Sequence, residues 1–434
     1  MPKITFIGAG SIGFFNKLMI DTVSHEELRH ADWALVDIDP QRLGYAERIA
    51  KRIMGQVGST GKLEVTMDRR EVLAGTDYIV MAILVGGNEP IWHDVDIPMK
   101  HGVDQCIADS HGPGGVFRAL RTIPVKIDIA RDIMELCPDA WVLSYTNPMS
   151  MLCRAMVKET GLKLVGLCHS VQGTSHMLAE WCGVPPAEID HWVAGINHQA
   201  WILKMNHNGR DLLPDIREQA RNEEHWNALT VSCEMCQHLD YFVTEGSGHN
   251  SEYSAWFRKN PEKIEFYCPG GRWNGGSGYI KELYGSDREG WEEQQEKLAS
   301  DTAPIEFKSS NEYASNIIRA LHTHEVFRFN GNVPNTGLIT NLKQDAIVEV
   351  PCYADKHGVN PAFVGELPPQ LAALNSMTIN VIEMAVDAAL TGDRELARMA
   401  VAYDPLTMAV LDLREIKAMT DEMFEAEKEW LPQF

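Results

Sequence analysis

The sequence predicts an α/β fold, in which a doubly wound and mostly parallel sheet is followed by a second, α+β domain. Short apolar runs alternate with helical patterns from Lys3 to Leu167, which is typical of βαβ units. A glycine-rich turn follows the first run. Beyond Asp190 the alternation weakens, and 434 residues exceed what one hydrophobic core usually serves. We therefore expect two domains, residues 1–190 and residues 191–434.

The first element is a strand that leads into a glycine-rich turn. Residues 3–7 are β-branched and aromatic, and the sequence GAGSIG follows before a helical pattern over residues 14–23. In this context Gly8 permits a tight turn, Gly10 lets the backbone approach a pyrophosphate, and Gly13 permits close helix packing. The helix N-terminus offers free N–H groups to the phosphates. The segment therefore predicts a dinucleotide site.

The second strand supplies a carboxylate for the ribose. Residues 33–36 end at Asp37, at the spacing expected of an acid that accepts a hydrogen bond from the ribose 2′-hydroxyl. A carboxylate there favours NAD, because it would repel the additional phosphate of NADP. The alternative for Asp37 is a helix N-cap ahead of Pro40, a role for which Asp39 is the better residue.

The alternation continues through the first half of the chain. We expect a helix, a strand, a short helix and a strand at residues 41–54, 63–67, 70–74 and 77–85. The last strand is apolar on both faces, as a central parallel strand is. It ends in Gly86-Gly87-Asn88, so we expect Asn88 at the carboxyl edge of the sheet and in contact with the nucleotide.

Two further segments carry polar groups towards the same edge. Residues 109–115 read DSHGPGG and precede a helix with Arg118 and Arg121; the alternative interpretation is a plain turn. The strand over residues 140–145 closes in Thr-Asn-Pro, and Asn147 could either bind a ligand at the edge or cap the next helix.

A thiol and two imidazoles follow the later apolar runs. The run over residues 164–167 ends in Cys168 and His169, and His198 follows another apolar run thirty residues later. Cysteine sulfur and histidine nitrogen both bind borderline metals. The alternative is a buried thiol beside an ordinary histidine, since free cysteine is common in protein cores.

Composition narrows the class of partner. Against 39 basic residues there are 61 acidic ones, a formal charge of -22, which disfavours nucleic acid and anionic membranes because phosphate binding needs clustered Lys and Arg. Nine cysteines and an opening that leaves no room for a leader peptide indicate a reducing compartment, the cytoplasm. The longest apolar run, near residues 78–85, is too short to span a bilayer.

Three features together resemble glycoside hydrolase family 4, whose members depend on NAD and manganese. They are the glycine fingerprint, the Thr-Asn-Pro strand end, and CHSVQGT at residues 168–174 with INHQAW at residues 196–201. CHSVQGT is most similar to the α-galactosidase (melibiase) branch. GSGHNSEY, GNVPNTG and GELP, later in the chain, extend the likeness over its whole length. The implied fold is a Rossmann-like sheet with a second α+β domain, the architecture of lactate and malate dehydrogenases.

The resemblance implies a role for each matching residue. Those that would bind a cofactor, the metal or the sugar are Gly8, Gly10, Gly13 and Asp37 for NAD, Cys168 and His198 for Mn²⁺, and Asn147 for the substrate. His169 would be the general acid. Members that act on phosphorylated sugars carry another residue at that position, so we expect an unphosphorylated sugar.

The family's scheme is oxidation, elimination, addition and reduction. NAD takes a hydride from sugar C3, a base removes the C2 proton, the glycosidic oxygen leaves, water adds, and the hydride returns. For the base we favour His249 over Tyr253 and Glu245, because histidine titrates closer to neutrality than tyrosine, whose pKa is near 10. Asp109 would lie near the base and increase its basicity.

The expected activity is hydrolysis of α-galactosides such as melibiose or raffinose. The same mechanism on α-glucosides or α-galacturonides is one alternative. An NAD-dependent dehydrogenase of a small hydroxy compound is another, and a nucleotide-sensing protein without turnover is the last.

In the second half we expect a loop or lid at residues 269–278, and helices over residues 311–322, 370–390 and 413–429. These helices could form the interface of a homodimer or homotetramer.

Overall fold

The structure is a computed structural model that describes residues 1–11, 13–286, 290–300 and 305–434. Within these ranges all the strands belong to one sheet. In chain order they are β1 (Lys3–Ile7), β2 (Asp32–Val36), β3 (Leu63–Thr66), β4 (Tyr78–Met81), β5 (Trp141–Ser144), β6 (Leu164–Gly166), β7 (Ile189–Ile196), β8 (Gln199–His207), β9 (Arg210–Asp211), β10 (Phe327–Pro334), β11 (Ile347–Asp355) and β12 (Gly358–Pro361).

Helices cover the sheet and form much of the second half. They are α1 (Phe15–Ser24), α2 (Pro40–Gln56), α3 (Glu89–Lys100), α4 (Gly112–Leu136), α5 (Met149–Thr160), α6 (Ser170–Trp181), α7 (Leu213–Gln219), α8 (Glu223–Ala228), α9 (Thr230–Leu239), α10 (Ser247–Glu252), α11 (Pro261–Tyr267), α12 (Tyr279–Ser286), α13 (Trp291–Ala299), α14 (Ala314–His322), α15 (Pro369–Thr391), α16 (Arg394–Ala402), α17 (Pro405–Val410) and α18 (Leu413–Ala426). Short 3₁₀ turns occur at Arg69–Glu71, Pro186–Glu188 and Arg272–Asn274. None of the helices described is both long and apolar enough to cross a membrane.

The first half of the sheet is parallel. Its strands lie in the order β3-β2-β1-β4-β5-β6, which is the order of a doubly wound dinucleotide-binding fold. One face packs against α1 and α2 through residues such as Phe6 and Phe15. The other packs against α4 and α5 through residues such as Met81 and Val116. The predicted fold class is confirmed.

The second half of the sheet is antiparallel and continues the first. β10 pairs with β6, β11 with β10, β7 with β11, and β8 with β7. Gly166, Asn332, Glu349 and Gly195 are successive partners in one row across these strands. A Cβ on Gly166 would lie 2.7 Å from the sulfur of Met149, so a larger residue at this junction would require the Met149 side chain to move. The row connects the strand before Cys168 to the hairpin that carries His198.

Several predicted boundaries shift for identifiable reasons. The strand expected over residues 77–85 ends at Met81, because Ile83 N donates to the Thr146 hydroxyl rather than continuing the ladder. The short helix expected at residues 70–74 is the 3₁₀ turn Arg69–Glu71. The helices expected in the second half are present as α14, α15 and α18. Asp39 accepts from the N–H groups of Gln41 and Arg42 at the start of α2, so it is the cap.

Candidate active site at the carboxyl edge of the sheet

The glycine-rich turn has the tight conformation predicted at Gly8, and its backbone leaves no room for a side chain at Gly8 or Gly10. Gly8 has φ +91°, and a Cβ there would lie 2.0 Å from the Ala82 carbonyl oxygen. A Cβ on Gly10 would lie 2.4 Å from the Cβ of Arg42. A Cβ on Gly13 would meet no described atom within 4 Å. The close-packing reason given for Gly13 is therefore wrong, although its part in binding a cofactor stays a prediction.

The carboxylate predicted for the ribose holds this turn in place. Asp37 Oδ2 accepts from the Gly10 N–H at 2.7 Å, and its Oδ1 accepts from the Asp39 N–H at 3.0 Å. Asn88 precedes α3 without capping it, and its amide donates to the Tyr284 carbonyl oxygen at 3.2 Å. The turn, the carboxylate and the open space at Gly13 fit a dinucleotide.

The other predicted side chains meet in one open cleft with about 1080 Å³ of empty space. Its lining includes Cys168 and His169 after β6, His198 in the β7–β8 turn, Asn147 after β5, and Asp109 and His249. The structure thus brings together side chains that are up to 140 positions apart in the chain. Tyr253, by contrast, is 2% exposed and does not line the cleft.

A thiol, an imidazole and a carboxylate form the centre of the cleft. Glu245 Oε1 lies 3.8 Å from Cys168 Sγ and 3.8 Å from His198 Nε2. One possible ligand atom from each of the three residues lies within 4.8 Å of the other two. Thiolate, imidazole and carboxylate are the donor types that divalent transition metals take. These residues fit a metal ion.

The hydrogen bonds around His198 determine which ring nitrogen can bind a metal. Asp109 is ionised, since burial would raise its pKa but Arg118 and His249 hold that pKa below its usual value. Ser110 Oγ therefore donates to Asp109 Oδ1, at 2.7 Å, and is free to accept from His198 Nδ1 at 3.3 Å. In the tautomer with the proton on Nδ1, His198 Nε2 has a lone pair that faces Cys168 and Glu245. Partners of this kind orient metal-binding imidazoles.

Burial and nearby charge set the protonation of the cluster. Burial lowers the pKa of His198 to about 4, so its ring is neutral, as a metal ligand must be. Burial, with Glu245 next, raises the pKa of Cys168 well above its usual value. Burial would raise the pKa of Glu245, but His249 keeps it below the ordinary value and the group is ionised.

Asn147 faces the cleft and does not cap a helix. Its Nδ2 donates to Asp109 Oδ2 at 2.9 Å. Pro148 holds the N-cap position of α5 without a side-chain bond, so the capping alternative is wrong. Asn147 Oδ1 is buried without a hydrogen-bond partner among the described residues. An orphaned buried acceptor that lines a cleft fits a ligand hydroxyl.

His249 stands between two carboxylates. Its Nε2 lies 3.8 Å from Asp109 and its Nδ1 lies 3.6 Å from Glu245. Its ring stacks on Trp273, with centroids 5.9 Å apart and planes at 8°. Trp273 belongs to the predicted loop or lid at residues 269–278, and the sequence analysis missed its role. A tryptophan in a glycine-rich loop was the available signal.

His169 lies at the mouth of the cleft, with 61% of its side chain exposed. Its Nδ1 is 3.6 Å from Glu312 Oε1. The contact with Glu312 is the largest influence on the pKa of His169 and raises it. The imidazole is thus favoured in its protonated form, as a general acid requires. Nothing in the sequence near Glu312 marks this pairing, because 143 positions separate it from His169.

A second carboxylate that the sequence did not predict, Glu252, holds the loop that carries Asp109. Glu252, at the end of α10 and 1% exposed, accepts from the backbone N–H groups of Cys106, Ile107 and Ala108. Ala108 has φ +52°, a conformation that costs free energy outside glycine. Glu252 thus ties the Asp109 loop to the helix that contains His249.

The fold and the cleft define a class of protein first. A sheet of dinucleotide-binding order, with a metal-ligand cluster at its carboxyl edge, is the framework of a nucleotide-dependent metalloenzyme. The sequence then matches the family 4 glycosyl hydrolases over residues 3–184, and their C-terminal domain over residues 193–407. The chain belongs to this family.

Individual relatives agree with this assignment. An alpha-galactosidase of Bacillus subtilis (strain 168) is 41% identical, with all of both chains covered. An alpha-galactosidase of Rhizobium meliloti (strain 1021) is 38% identical over all of this chain and 89% of its own. A solved 6-phospho-alpha-glucosidase from gut microorganisms, in complex with NAD and Mn²⁺, has a TM-score of 0.82 at 19% identity and covers 99% of each chain. The last comparison shows a shared fold.

Proposed function

We propose that the protein hydrolyses α-galactosides with the help of NAD and a divalent metal, Mn²⁺. One observation carries the proposal. The Cys168–His198–Glu245 cluster lies at the carboxyl edge of a dinucleotide-binding sheet, in a chain 41% identical over its full length to an alpha-galactosidase.

Two sets of residues would hold the cofactors. Those that fit NAD are Gly8, Gly10, Gly13, Asp37 and Asn88, and those that fit the metal include Cys168 and His198. When bound, NAD supplies a hydride acceptor and donor for sugar C3, and the metal stabilises negative charge on the sugar oxygens. Asn147 would orient the sugar through its free Oδ1.

His249 is the proposed base for the C2 proton. It lines the cleft, whereas Tyr253 OH faces His198 Nδ1 at 3.2 Å and is turned away from the open space. Asp109 lies 3.8 Å from His249 Nε2 and is ionised. A carboxylate at that distance stabilises the imidazolium formed when the base accepts a proton.

His169 is the proposed acid for the leaving group. Its exposure at the mouth of the cleft suits an atom that must reach the glycosidic oxygen. Glu312 favours its protonated form. After the departing sugar has taken this proton, the same imidazole can accept one from the water that adds.

A single assay tests the proposal. Purified protein with thiol reductant is incubated with 4-nitrophenyl α-galactoside, NAD and Mn²⁺, with and without chelator. We expect nitrophenol release without net NADH, and loss of release on chelation. Activity that survives chelation would contradict the metal requirement. NADH formed in proportion to product would instead support the dehydrogenase alternative.

The choice of sugar is tested with matched substrates. We expect 4-nitrophenyl α-galactoside to be hydrolysed with the highest kcat/KM in a panel that includes the α-glucoside and the α-galacturonide. Cys168→Ser removes the thiolate donor, so hydrolysis at ordinary Mn²⁺ concentrations should be lost. Full activity of this variant would refute Cys168 as a ligand.

Organisation and location complete the proposal. We propose residues 1–190 as the NAD-binding domain, and residues 191–434 as the part that binds substrate and assembles a homodimer or homotetramer. All nine cysteines are free thiols, which supports a reducing compartment such as the cytoplasm. The acidity of the chain favours a small uncharged substrate over nucleic acid or a membrane surface.

A further inference from the structure

With only two protein ligands, the divalent metal would be bound weakly. Catalytic metal sites commonly have three protein ligands and keep the remaining positions for water or substrate. The matched sequence motifs account for Cys168 and His198 alone. A residue that the fold places beside these two could supply a third donor, although spacing in the sequence does not identify it.

Glu245 lies at the distance of a third ligand. Its Oε1 is 3.8 Å from Cys168 Sγ and 3.8 Å from His198 Nε2. Ligand atoms that share one cation at bond lengths of about 2.1 to 2.3 Å are roughly 3.0 to 3.3 Å apart when adjacent in an octahedron and roughly 3.4 to 3.8 Å apart in a tetrahedron. The His198–Glu245 distance is too long for a hydrogen bond, whereas the Cys168–Glu245 distance is within the range of a long thiol hydrogen bond.

The electron pairs around this point also suit a cation. In the tautomer that donates from Nδ1 to Ser110, His198 Nε2 presents a lone pair to the carboxylate oxygen of Glu245. The Cys168 thiol faces the same oxygen and can donate its proton to it. A bound metal would displace that proton, and the thiolate, imidazole and carboxylate would then share the cation.

The backbone holds Glu245 in register with His198. Thr244 N donates to the Ala200 carbonyl oxygen at 2.8 Å, and Ala200 N donates to the Thr244 hydroxyl at 3.2 Å. Ala200 is two residues from His198 on the same hairpin. Glu245 itself has φ +68°, and a non-glycine residue held in that conformation is typical of ligand clamps.

We propose that Glu245 is a third protein ligand of the divalent metal, through Oε1, alongside Cys168 and His198. Its other oxygen lies 3.6 Å from His249 Nδ1, so the same carboxylate connects the metal to the proposed base. The donor set becomes thiolate, imidazole and carboxylate, with the remaining positions open to the sugar. This inference rests on the proposed metal-dependent function.

Metal affinity in the absence of sugar tests the assignment. Full-length, NAD-loaded protein under thiol reductant is titrated with Mn²⁺, and the electron paramagnetic resonance signal of the free ion reports binding. We expect Glu245→Gln to raise the Kd for Mn²⁺ by at least about tenfold. Loss of a residue that only hydrogen-bonds to a metal ligand already costs about 10- to 100-fold in metal affinity. A Kd within twofold of the parent would overturn the proposal.

Glu312→Gln is the matched control. Glu312 is also a carboxylate beside a histidine at this cleft, but its contact is with His169. Both variants lose one negative charge, and only Glu245→Gln replaces a proposed carboxylate donor by a weaker amide oxygen. The Kd of Glu312→Gln should stay within twofold of the parent; an equal weakening in both variants would assign the effect to charge alone and refute the ligand.

The parent protein gives a test that does not depend on a variant's folding. In a crystal structure of the protein soaked with Mn²⁺, Glu245 Oε1 should lie about 2.0 to 2.2 Å from the ion. A metal bound by Cys168 and His198 with Glu245 Oε1 beyond about 3 Å would overturn the inference and leave the proposed function intact. A parent that takes up no Mn²⁺ in the titration would contradict the proposed function itself.

Discussion

At the scale of single residues, the site depends on which atom of each side chain faces the cleft. His249 and Tyr253 are four residues apart around α10, and both have groups suited to proton transfer. His249 lines the open space, while the Tyr253 hydroxyl faces His198 Nδ1. Burial raises the pKa of Tyr253 well above its usual value, which makes its deprotonated form less accessible. Tyr253 thus suits a role in orienting His198.

His249→Asn and Tyr253→Phe should separate these roles. We expect His249→Asn to lower kcat by about 10²- to 10⁴-fold at saturating Mn²⁺, because it removes the proposed base. Tyr253→Phe should lower kcat less than about tenfold and raise the Kd for Mn²⁺ about 10- to 100-fold, as loss of an orienting partner does. Steady-state kinetics and Mn²⁺ titration give both values. A greater kcat loss in Tyr253→Phe would reverse the assignment.

Among the contacts between elements, a buried lysine on α4 reaches the end of β5, just before Asn147. Lys126 is 0% exposed, and its Nζ donates to Thr146 Oγ1 at 3.0 Å and to Ser144 Oγ at 3.4 Å. Burial lowers its pKa to about 7. The folded protein therefore binds fewer protons at this site than the unfolded chain between pH 7 and the ordinary lysine pKa.

Lys126→Met should change how the free energy of unfolding depends on pH. Because the unfolded state binds more protons in that window, parental stability gains from Lys126 as pH rises, by up to about 1.4 kcal/mol per pH unit. The parent should become more stable relative to Lys126→Met from pH 7 to pH 9, as measured by urea unfolding. The exposed Lys163→Met is the control, and its difference from the parent should not change. A constant difference for Lys126→Met would contradict the prediction.

The loop at residues 106–109 depends on a neighbouring helix for its shape. Glu252 accepts three of its backbone N–H groups. In Glu252→Gln one carboxylate oxygen is replaced by a donor, so at least one buried N–H loses its partner at a cost of about 1 to 3 kcal/mol. We expect lower thermal stability and a reduced kcat, because Asp109 moves relative to His249. The exposed Glu265→Gln should change neither; an unchanged kcat in Glu252→Gln would refute the positioning role.

At the scale of the whole molecule, the two halves share their sheet and their cores. The cluster on one face contains Phe6 from the first half and Val348 from the second. The cluster on the other contains Met81 and Met419. The proposed boundary at residue 190 therefore divides the NAD-binding part from the substrate-binding part, but it does not divide the chain into two independent folding units.

Cofactor binding should consequently stabilise the protein as one unit. At a concentration of 100 times Kd, a bound cofactor adds about 2.7 kcal/mol to the free energy of unfolding. We expect NAD and Mn²⁺ each to raise the midpoint of a single thermal transition in calorimetry, with chelator reversing only the metal's part. Two transitions, of which NAD shifts one, would show that the halves unfold independently.

The fold of the first half and most residues of the candidate site could be predicted from the amino-acid sequence alone. Alternating apolar runs specify parallel strands, and polar residues at strand ends must meet at one edge, so Asn147 and Cys168 could be predicted. The glycine-rich turn could also be predicted, because the Ala82 carbonyl lies so close to the Gly8 backbone that no other residue fits there.

The contacts of Glu245, Glu252, Trp273 and Glu312, and with them the proposed role of Glu245, could be seen only in the folded protein. Each of these residues contacts a partner that is distant in the chain or lies on another element, and no periodicity or spacing encodes such a contact. The extension of the sheet past β6 was equally hidden, because the pairing of β10 with β6 joins residues 166 positions apart. Local patterns record which backbone a segment prefers, whereas a cleft is formed by side chains that only the completed packing brings within reach.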